Sequence, residues 1–413
     1  MKTPLNSEFL DALRLTQSGQ LNEATSLIQR TLGIPAVSDT TSNNASPSQG
    51  NASNETVLEG TYRVVDEETP TRKATGFSEE TETVLQATRF GAALRKKLGK
   101  LKGLAPLLHP QTPRSAPEPV PEGAQFLAKS YSNHAGTREY KLYIPSTYMG
   151  KPLPMIVMLH GCKQNPDDFA AGTRLNELAE TMPCLVLYPA QSSNANGSRC
   201  WNWFNPSDQH SGQGEPSLIA GMTESVAAQY SVDMQRIYVA GLSAGGAMAA
   251  IMAVTYPDLY SAAAIHSGLP YAAARDLPSA FAAMQQGAKC TDTHVPSEAR
   301  PLPVPVIVFH GDRDSTVHPS NSEQIVRQFS PAGCSMKGKL RAKVEHGQTP
   351  DGHAFTRTLY RLPDNERVQM EQWTIHGATH AWSGGSTNGS YTDPRGPNAT
   401  AEMLRFFMAQ TNH

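Results

Sequence analysis

The stretch RIYVAGLSAGGAMAAIMAVTYPDLY, residues 236–260, decides the fold. It starts as an apolar run typical of a strand, breaks at glycines around Ser243 and resumes as an alanine-rich run typical of a helix. Gly241, Ser243 and Gly245 thus form the pattern G-x-S-x-G between a strand and a helix. A sharp turn there would strain the serine backbone, and a side chain at either glycine would collide with neighbouring elements. We predict that Ser243 is a nucleophile held clear of the sheet; an ordinary strand-to-helix turn is the alternative.

A serine nucleophile needs a base to take its proton and a carboxylate to hold that base in one tautomer. With this turn, the acid and then the histidine follow the serine along the chain. The segment VPVIVFHGDRDSTVHP, residues 304–319, runs from a predicted strand into a loop with Asp312 and Asp314. We favour Asp314 as the acid, because Asp312 lies where the strand has barely ended.

The base is expected in the segment WTIHGATHAWSGG, residues 373–385. His380 lies in the loop that leaves the last predicted strand, whereas His376 lies inside the strand pattern. We therefore predict that His380 is the base. His310 and His318, which belong to the segment of the acid, are expected to have structural or rim roles.

Two backbone amides are predicted to stabilise an oxyanion. The amide of Ala244 lies at the start of the helix that follows Ser243. The segment PMIVMLHGCKQNPDDF, residues 154–169, places Cys162 in the loop after an earlier strand, so its amide is the predicted partner. A cysteine nucleophile at Cys162 is the rival interpretation, but Cys162 lacks the sharp turn. Whether Cys162 forms a disulfide with Cys200 stays open, since both lie in motif-rich loops.

A loop rich in glycine and polar residues, NANGSRCWNWFNPSDQHSGQGEPS at residues 194–217, contains three aromatic residues. These aromatic side chains either plug the top of the core or line a cleft that receives part of a substrate. The residues that we predict to contact substrate are His160, Gln164, Trp201, Trp203 and Trp382.

The sequence predicts neither a metal ion nor a cofactor. Asp208 and Glu215 have carboxylates that suit a metal, but no second group with ligand spacing accompanies them. A phosphate loop and a dinucleotide fingerprint are also missing, because GLSAGG lacks the required pattern.

Composition argues against charged macromolecular partners. The chain has 413 residues, with 35 Lys plus Arg against 37 Asp plus Glu, so no global field recruits nucleic acid or an anionic membrane. No apolar run approaches the roughly 20 residues of a membrane span, and the N-terminus shows no secretory signal pattern. We therefore expect a cytoplasmic protein, with an extracellular location as the alternative.

Composition shifts along the chain predict five regions. We predict a helical hairpin at 1–34, a disordered linker at 35–80, a basic amphipathic helix at 81–104, a proline-rich spacer at 105–123 and a catalytic domain at 124–413. The basic helix, through residues 82–104, is a candidate contact with a membrane or a hydrophobic particle.

The region after residue 124 has the pattern of an α/β domain. Seven apolar runs are predicted strands: REYKLYIP, PMIVMLHG, CLVLYPA, RIYVAGLS, SAAAIHSG, VPVIVFHGD and VQMEQWTIHG. The middle runs are almost continuously apolar, which is typical of parallel strands covered by helices on both faces. We therefore predict a mostly parallel sheet with helices on both faces.

Residues from about 124 to 410 resemble the esterase family of poly(3-hydroxybutyrate) depolymerases, which also includes feruloyl and acetylxylan esterases. The resemblance lies in LHGCKQNPDDF, YPAQ, CWNWF, IYVAGLSAGGAMA, HGDRDSTV and GATHAWSGG. It implies an α/β-hydrolase fold with Ser243 as nucleophile, Asp314 as acid and His380 as base. The HGC turn is similar to the oxyanion loop of that family.

The resemblance implies a cofactor-independent serine esterase that acts on a short-chain polyhydroxyalkanoate or its oligomers, with a feruloyl or acetyl carbohydrate ester as the alternative substrate. Many members of the family are secreted with a signal peptide, and some add a polymer-binding domain; neither feature is evident in residues 1–123. A different class of function is a granule- or membrane-binding protein with a vestigial hydrolase domain. The intact set of triad residues favours the enzyme over that interpretation. A peptidase is disfavoured because nothing in the sequence suggests a domain or pocket that would select a peptide.

Overall fold

The computed structural model describes residues 120–290, 303–331, 333, 340–362 and 367–410. The predictions for residues 1–34, 35–80 and 81–104, and for all but the end of 105–123, lie outside the described residues. Those predictions therefore stay predictions. In the described part of the chain, no helix is long and apolar enough to cross a membrane.

The strands of the described residues fall into one large sheet and one short pair. They are β1 Gln125–Asn133, β2 Gly136–Ile144, β3 Leu153–Leu159, β4 Leu185–Pro189, β5 Val232–Leu242, β6 Ala262–His266, β7 Val306–Gly311, β8 Arg341–Gln348, β9 Ala354–Arg361, β10 Val368–Ile375, β11 Trp382–Ser383 and β12 Thr392–Asp393. The large sheet has the order β1-β2-β4-β3-β5-β6-β7-β10-β9-β8. Its middle, from β4 to β10, is parallel, and antiparallel strands extend both edges.

Helices cover both faces of this sheet. They are α1 Pro166–Thr173, α2 Leu175–Thr181, α3 Gly214–Gln229, α4 Ala244–Thr255, α5 Leu277–Gln286, α6 Ser320–Gln328 and α7 Ala399–Met408. Apolar residues of α3, α4, α5 and α6 pack in one core cluster, and those of α1, α2 and α7 pack in another.

Strand β5 shows why the middle of the sheet is apolar at every position. Val239 belongs to the first cluster, whereas its neighbours Tyr238 and Ala240 belong to the second. All three side chains are fully buried. Because successive side chains of a strand point to opposite faces, both faces of β5 must be apolar.

The predicted α/β architecture is confirmed, and each of the seven predicted runs contains a strand. Strands β1, β8 and β9 were not predicted. Strand β8 has the sequence RAKVEHGQ and is exposed over most of its length, and β1 is only half-buried. Edge strands bury little surface, so their sequences do not need the apolar runs that mark the central strands.

Candidate active site

Ser243 lies at the junction of β5 and α4, in a backbone conformation that residues other than glycine rarely adopt. Its φ is 57° and its ψ is −119°. Its amide donates to the carbonyl of His266 at 2.9 Å. An added Cβ at Gly241 would lie 2.2 Å from the Gly245 oxygen, and one at Gly245 would lie 2.0 Å from the Leu159 oxygen. The two glycines therefore let the strand, the turn and the helix approach closely enough to hold this strained serine.

Asp314 follows β7 and is almost entirely buried. Its Oδ1 accepts the amides of Thr316 at 2.9 Å and Val317 at 2.8 Å. Burial alone would raise the pKa of Asp314, but hydrogen bonds from His310 and His380 outweigh it and hold this pKa well below its usual range. Asp314 is therefore a carboxylate that keeps its charge in a buried position.

His380 contacts this carboxylate directly. The distance from His380 Nδ1 to Asp314 Oδ2 is 2.7 Å. An ionised carboxylate accepts only, so Nδ1 carries the proton and Nε2 of the neutral ring is free to act as a base. Ser243, Asp314 and His380 follow β5, β7 and β10, which run parallel in one sheet, so all three lie at the same edge of that sheet.

Asp312, the other candidate acid, has different partners. Its Oδ2 lies 2.9 Å from His376 Nδ1, and its Oδ1 accepts the amide of Gly377 at 2.7 Å. His376 follows the end of β10 and is 43% exposed in its side chain. The structure therefore pairs Asp314 with His380 and Asp312 with His376.

The two predicted oxyanion donors lie in ordered turns. Ala244 is the first residue of α4, where an amide has no carbonyl partner within the helix. On the other side, the amide of Gly161 donates to Gln164 Oε1 at 2.9 Å, and the amide of Lys163 donates to the Ser198 oxygen at 2.7 Å. These bonds hold the residues on both sides of Cys162. The assignment of both amides to an oxyanion stays a prediction.

The cysteine pairing that the sequence left open is present. Cys162 and Cys200 form a disulfide, which joins the predicted oxyanion loop to the loop of residues 194–217, here called the aromatic loop. Cys290 is also disulfide-bonded. Cys184 is a free thiol in the core, and burial raises its pKa to about 12. Cys162 therefore has no free thiol to act as a nucleophile in this state.

His160 and Gln164 use their polar atoms in hydrogen bonds within the fold, and their predicted contact with substrate stays a prediction. His160 is fully buried; its Nδ1 donates to the Gly161 oxygen at 2.8 Å, and its Nε2 accepts the Gln191 amide at 3.1 Å. Burial lowers the pKa of His160 to about 4, so the ring is neutral. The Gln164 amide group donates to Asp168 and Ser390 while its oxygen holds Gly161. Their hydrogen bonds connect the predicted oxyanion loop to residues Gln191 and Ser390.

Trp201 and Trp382 also lie inside the fold, and their predicted contact with substrate stays a prediction. Both are fully buried, and their Nε1 atoms donate to the His160 oxygen at 3.1 Å and to Thr400 Oγ1 at 2.9 Å. Trp201 belongs to the first core cluster and Trp382 to the second. Trp203 has 6% of its surface exposed to solvent and packs edge-on against Phe204. A substrate contact at Trp203 stays a prediction.

Asp208 and Glu215 form part of a buried polar network under the aromatic loop. The Asp208 carboxylate accepts the Glu215 amide at 2.8 Å, and the Glu215 carboxylate accepts the amide of Asn202 at 2.7 Å. Burial and then the charge of Asp208 raise the pKa of Glu215 to about 7. Across the described ranges, no three His, Cys, Asp or Glu side chains are grouped as a metal site would require.

His310 was expected to have a structural or rim role, whereas no role was predicted for His266. His266 is buried, its Nε2 accepts the Ser383 amide at 3.0 Å, and its ring stacks on Phe309 and Trp382. The Nε2 of His310 lies 2.8 Å from the Val317 oxygen and 3.4 Å from Asp314 Oδ2. His266 is the last residue of β6, and His310 is the last residue but one of β7.

The strand order and the serine turn define an α/β-hydrolase. The family described as "Esterase PHB depolymerase" matches residues 138–342. The chain is 36% identical over 265 residues to poly(3-hydroxyalkanoate) depolymerase C of Paucimonas lemoignei, covering 61% of this chain and 60% of the relative. It is 32% identical over 216 residues to feruloyl esterase B of Neurospora crassa, covering 48% of this chain and 71% of the relative. This chain therefore belongs to the PHB depolymerase esterase family.

Two further matches agree. A probable acetylxylan esterase A of Aspergillus fumigatus is 30% identical over 213 residues, covering 48% of this chain and 56% of the relative. The solved structure of an acetyl xylan esterase from Aspergillus awamori matches with a TM-score of 0.51 at 18% identity, covering 69% of this chain and 99% of that one. At that identity the structural match shows the fold alone. The chain spans less than two thirds of the length of some of these relatives, including the depolymerase.

Proposed function

We propose that this protein is a serine esterase that hydrolyses carboxylic esters through an acyl-enzyme. The observation that carries the proposal is the hydrogen bond of 2.7 Å between His380 Nδ1 and Asp314 Oδ2. It fixes the tautomer that a base for Ser243 requires. The strained turn at Ser243 and the membership of an esterase family support the same reaction.

In the first half of the reaction, the oxygen of Ser243 attacks the ester carbonyl while His380 Nε2 takes the serine proton. The tetrahedral oxyanion accepts hydrogen bonds from the amides of Ala244 and Cys162. Collapse of this intermediate breaks the ester bond, and His380 returns the proton to the leaving alcohol. The products are the free alcohol and an ester of Ser243.

In the second half, water attacks the acyl group on Ser243 and gives its proton to His380. The same two amides stabilise the second oxyanion; as it collapses, the bond to Ser243 breaks, His380 returns the proton to the serine oxygen and the carboxylic acid is released. Throughout, Asp314 keeps its negative charge and stabilises the imidazolium that forms at His380. The low pKa of Asp314 fits this role, because the acid must not take the proton itself.

As the substrate we propose a short-chain polyhydroxyalkanoate or its oligomers. The 36% identity to a poly(3-hydroxyalkanoate) depolymerase supports this choice. A feruloyl or acetyl carbohydrate ester is the second candidate, supported by the 32% identity to a feruloyl esterase, of which 71% is covered. Trp203, which at 6% is the most exposed of the five predicted contact residues, is our candidate for contact with either acyl group.

The first experiment compares the full chain with its Ser243→Ala variant on a soluble aryl butyrate. We expect turnover by the wild type and a loss of at least about 1000-fold in the variant. The matched control is Ser132→Ala, which removes an exposed hydroxyl that bonds only Thr137 at 2.8 Å. Equal turnover by wild type and Ser243→Ala would refute the nucleophile, and an inert wild type on every short acyl ester would refute the reaction class.

The second experiment measures kcat/KM on hydroxybutyrate oligomers, a feruloylated sugar and an acetylated sugar. A preference of at least about tenfold for the oligomers, equal to 1.4 kcal/mol in the transition state, would support the polyester assignment. A preference of similar size for a sugar ester would replace it with the second candidate. Substitution of Trp203 by alanine should change this preference more than it changes the activity on aryl butyrate.

A further inference from the structure

Two acid–imidazole pairs lie between the loop after β7 and the loop after β10. One is the Asp314–His380 pair, and the other joins Asp312 to His376 with 2.9 Å between Oδ2 and Nδ1. We propose that Asp312 is a positioning residue, whose carboxylate clamps the loop that carries His380 against the loop that carries Asp314. This inference rests on the proposed function of that same site.

The carboxylate of Asp312 binds the loop of the base at two points. Oδ1 accepts the amide of Gly377 at 2.7 Å, and Oδ2 accepts Nδ1–H of His376. Two backbone bonds join the same loops: the Asp312 amide donates to the Ile375 oxygen at 3.1 Å, and the Arg313 amide donates to the Ala378 oxygen at 3.0 Å. The loops are therefore attached along their length up to two residues before His380.

The close approach of these loops leaves little freedom in how they fit. An added Cβ at Gly311 would lie 2.3 Å from the Ala378 oxygen and 2.9 Å from the Thr379 oxygen. Gly377 has a φ of 78°, which favours glycine. A shift of Ala378 would pass directly to His380, because only one residue separates them. Loss of the Asp312 contacts should therefore move the base relative to Asp314.

The ring edge of His376 opposite Asp312 bonds to the sheet, so His376 connects Asp312 to strand β9. Its Nε2 lies 2.8 Å from Thr356 Oγ1 in β9, and its carbonyl accepts Nδ1–H of His353 at 2.9 Å. Asp312, His376 and Thr356 together have the order acid, imidazole, hydroxyl. Thr356, however, lies within a strand, without the helix N-terminus that would supply amides to an oxyanion. The pair therefore suits positioning rather than a second reaction.

Because Asp312 is 37% exposed in its side chain, its loss should cost little stability. The loss of Asp312 is expected to affect the rate more than the stability, since a displacement of about 1 Å in a catalytic group can lower the rate about 100-fold. The two effects separate a positioning residue from one that only stabilises the fold.

The experiment compares Asp312→Ala and Asp312→Asn with a matched control, Asp233→Ala. Asp233 also accepts one backbone amide, from Gln235 at 3.0 Å, and one side-chain N–H, from Arg236 at 2.6 Å, with a similar exposure of 29%. It lies at the start of β5, at the end of the strand remote from Ser243. Removal of Asp233 thus breaks the same kinds of bond far from the site.

For Asp312→Ala we expect kcat on an aryl butyrate to fall about 10- to 100-fold with KM within about twofold. Asp312→Asn should recover part of this loss, because its oxygen still accepts the Gly377 amide. Asp233→Ala should leave both constants within about twofold. The low-field proton resonance of His380 Nδ1–H should shift or broaden in Asp312→Ala and stay unchanged in Asp233→Ala.

An unchanged kcat and an unchanged resonance in Asp312→Ala would overturn the proposal, as would an equal loss of kcat in Asp233→Ala. If Asp312→Ala does not fold, Asp312→Asn and His376→Ala carry the test, and an unchanged kcat in both overturns it. The resonance does not depend on turnover. An inert wild type with a perturbed resonance in Asp312→Ala would therefore refute the esterase proposal and leave the positioning role standing.

Discussion

Replacement of Asp314 by asparagine tests the triad with the least change of shape. In the wild type, Oδ1 accepts the amides of Thr316 and Val317, and Oδ2 accepts His380 Nδ1–H at 2.7 Å. Asparagine can keep its oxygen on the two amides, which places its NH₂ group against His380 Nδ1–H. Two donors then face each other, so His380 is driven to the tautomer with its proton on Nε2.

A ring protonated on Nε2 cannot take the proton of Ser243. We expect kcat for Asp314→Asn to fall about 10,000-fold, which corresponds to about 5 kcal/mol in the activation free energy. The two amide bonds survive, so the loss in the free energy of unfolding should be limited to about 1–3 kcal/mol for each charge-assisted bond that Oδ2 makes to His380 and His310. The variant should therefore remain folded and be almost inactive.

The assay measures kcat and KM on an aryl butyrate together with urea unfolding of the same protein samples. Asp312→Asn is the matched control, because it makes the same change two residues away on an acid that contacts His376 instead. A folded Asp314→Asn variant that keeps more than about a tenth of the wild-type kcat would refute the assignment. A greater loss in Asp312→Asn than in Asp314→Asn would exchange the roles of the two acids.

Two further predictions concern buried polar side chains, Gln164 in the predicted oxyanion loop and Glu215 under the aromatic loop. Gln164→Leu removes the acceptor of the buried Gly161 amide. We therefore expect the free energy of unfolding to fall by about 1–3 kcal/mol and kcat to fall about tenfold. An unchanged kcat would contradict the proposed role of the oxyanion loop. Glu215→Gln removes a group whose pKa is raised from 4.5 to about 7. A raised pKa means that the folded state holds the proton more tightly, so the wild type should lose on the order of 3 kcal/mol as the pH rises from about 4.5 to 7. The stability of the wild type relative to the variant should fall across that range in urea titrations, and a constant difference would contradict the prediction.

Much of the sheet and the choice of candidate nucleophile could be predicted, because both depend on short stretches of chain. A strand covered on both faces needs an apolar run, and the turn at Ser243 needs Gly241 and Gly245 for steric reasons that act within five residues. The edge strands β1 and β8 were missed, because a half-buried or exposed strand carries little of that pattern. Local chemistry thus predicted the centre of the sheet better than its edges.

The roles of the predicted contact residues could not be read in the same way. His160, Trp201 and Trp382 are of types that often bind substrate, and they stand beside motifs of the site. Their partners, however, are far away in the sequence: Gln191 for His160, and Thr400 for Trp382. The loops that bring these partners together are placed by the whole sheet, so no nearby residue signals the burial.

The sequence by itself determined the order of strands, turn and helix around Ser243 and which residue types were available to act as acid and base. The reason is that backbone sterics and side-chain chemistry belong to each residue and its immediate neighbours. Only the tertiary structure decided that Asp314 contacts His380 while Asp312 contacts His376, and that Cys162 is joined to Cys200. Each pairing depends on the distance between two loops, which the packing of the neighbouring strands and of the core sets.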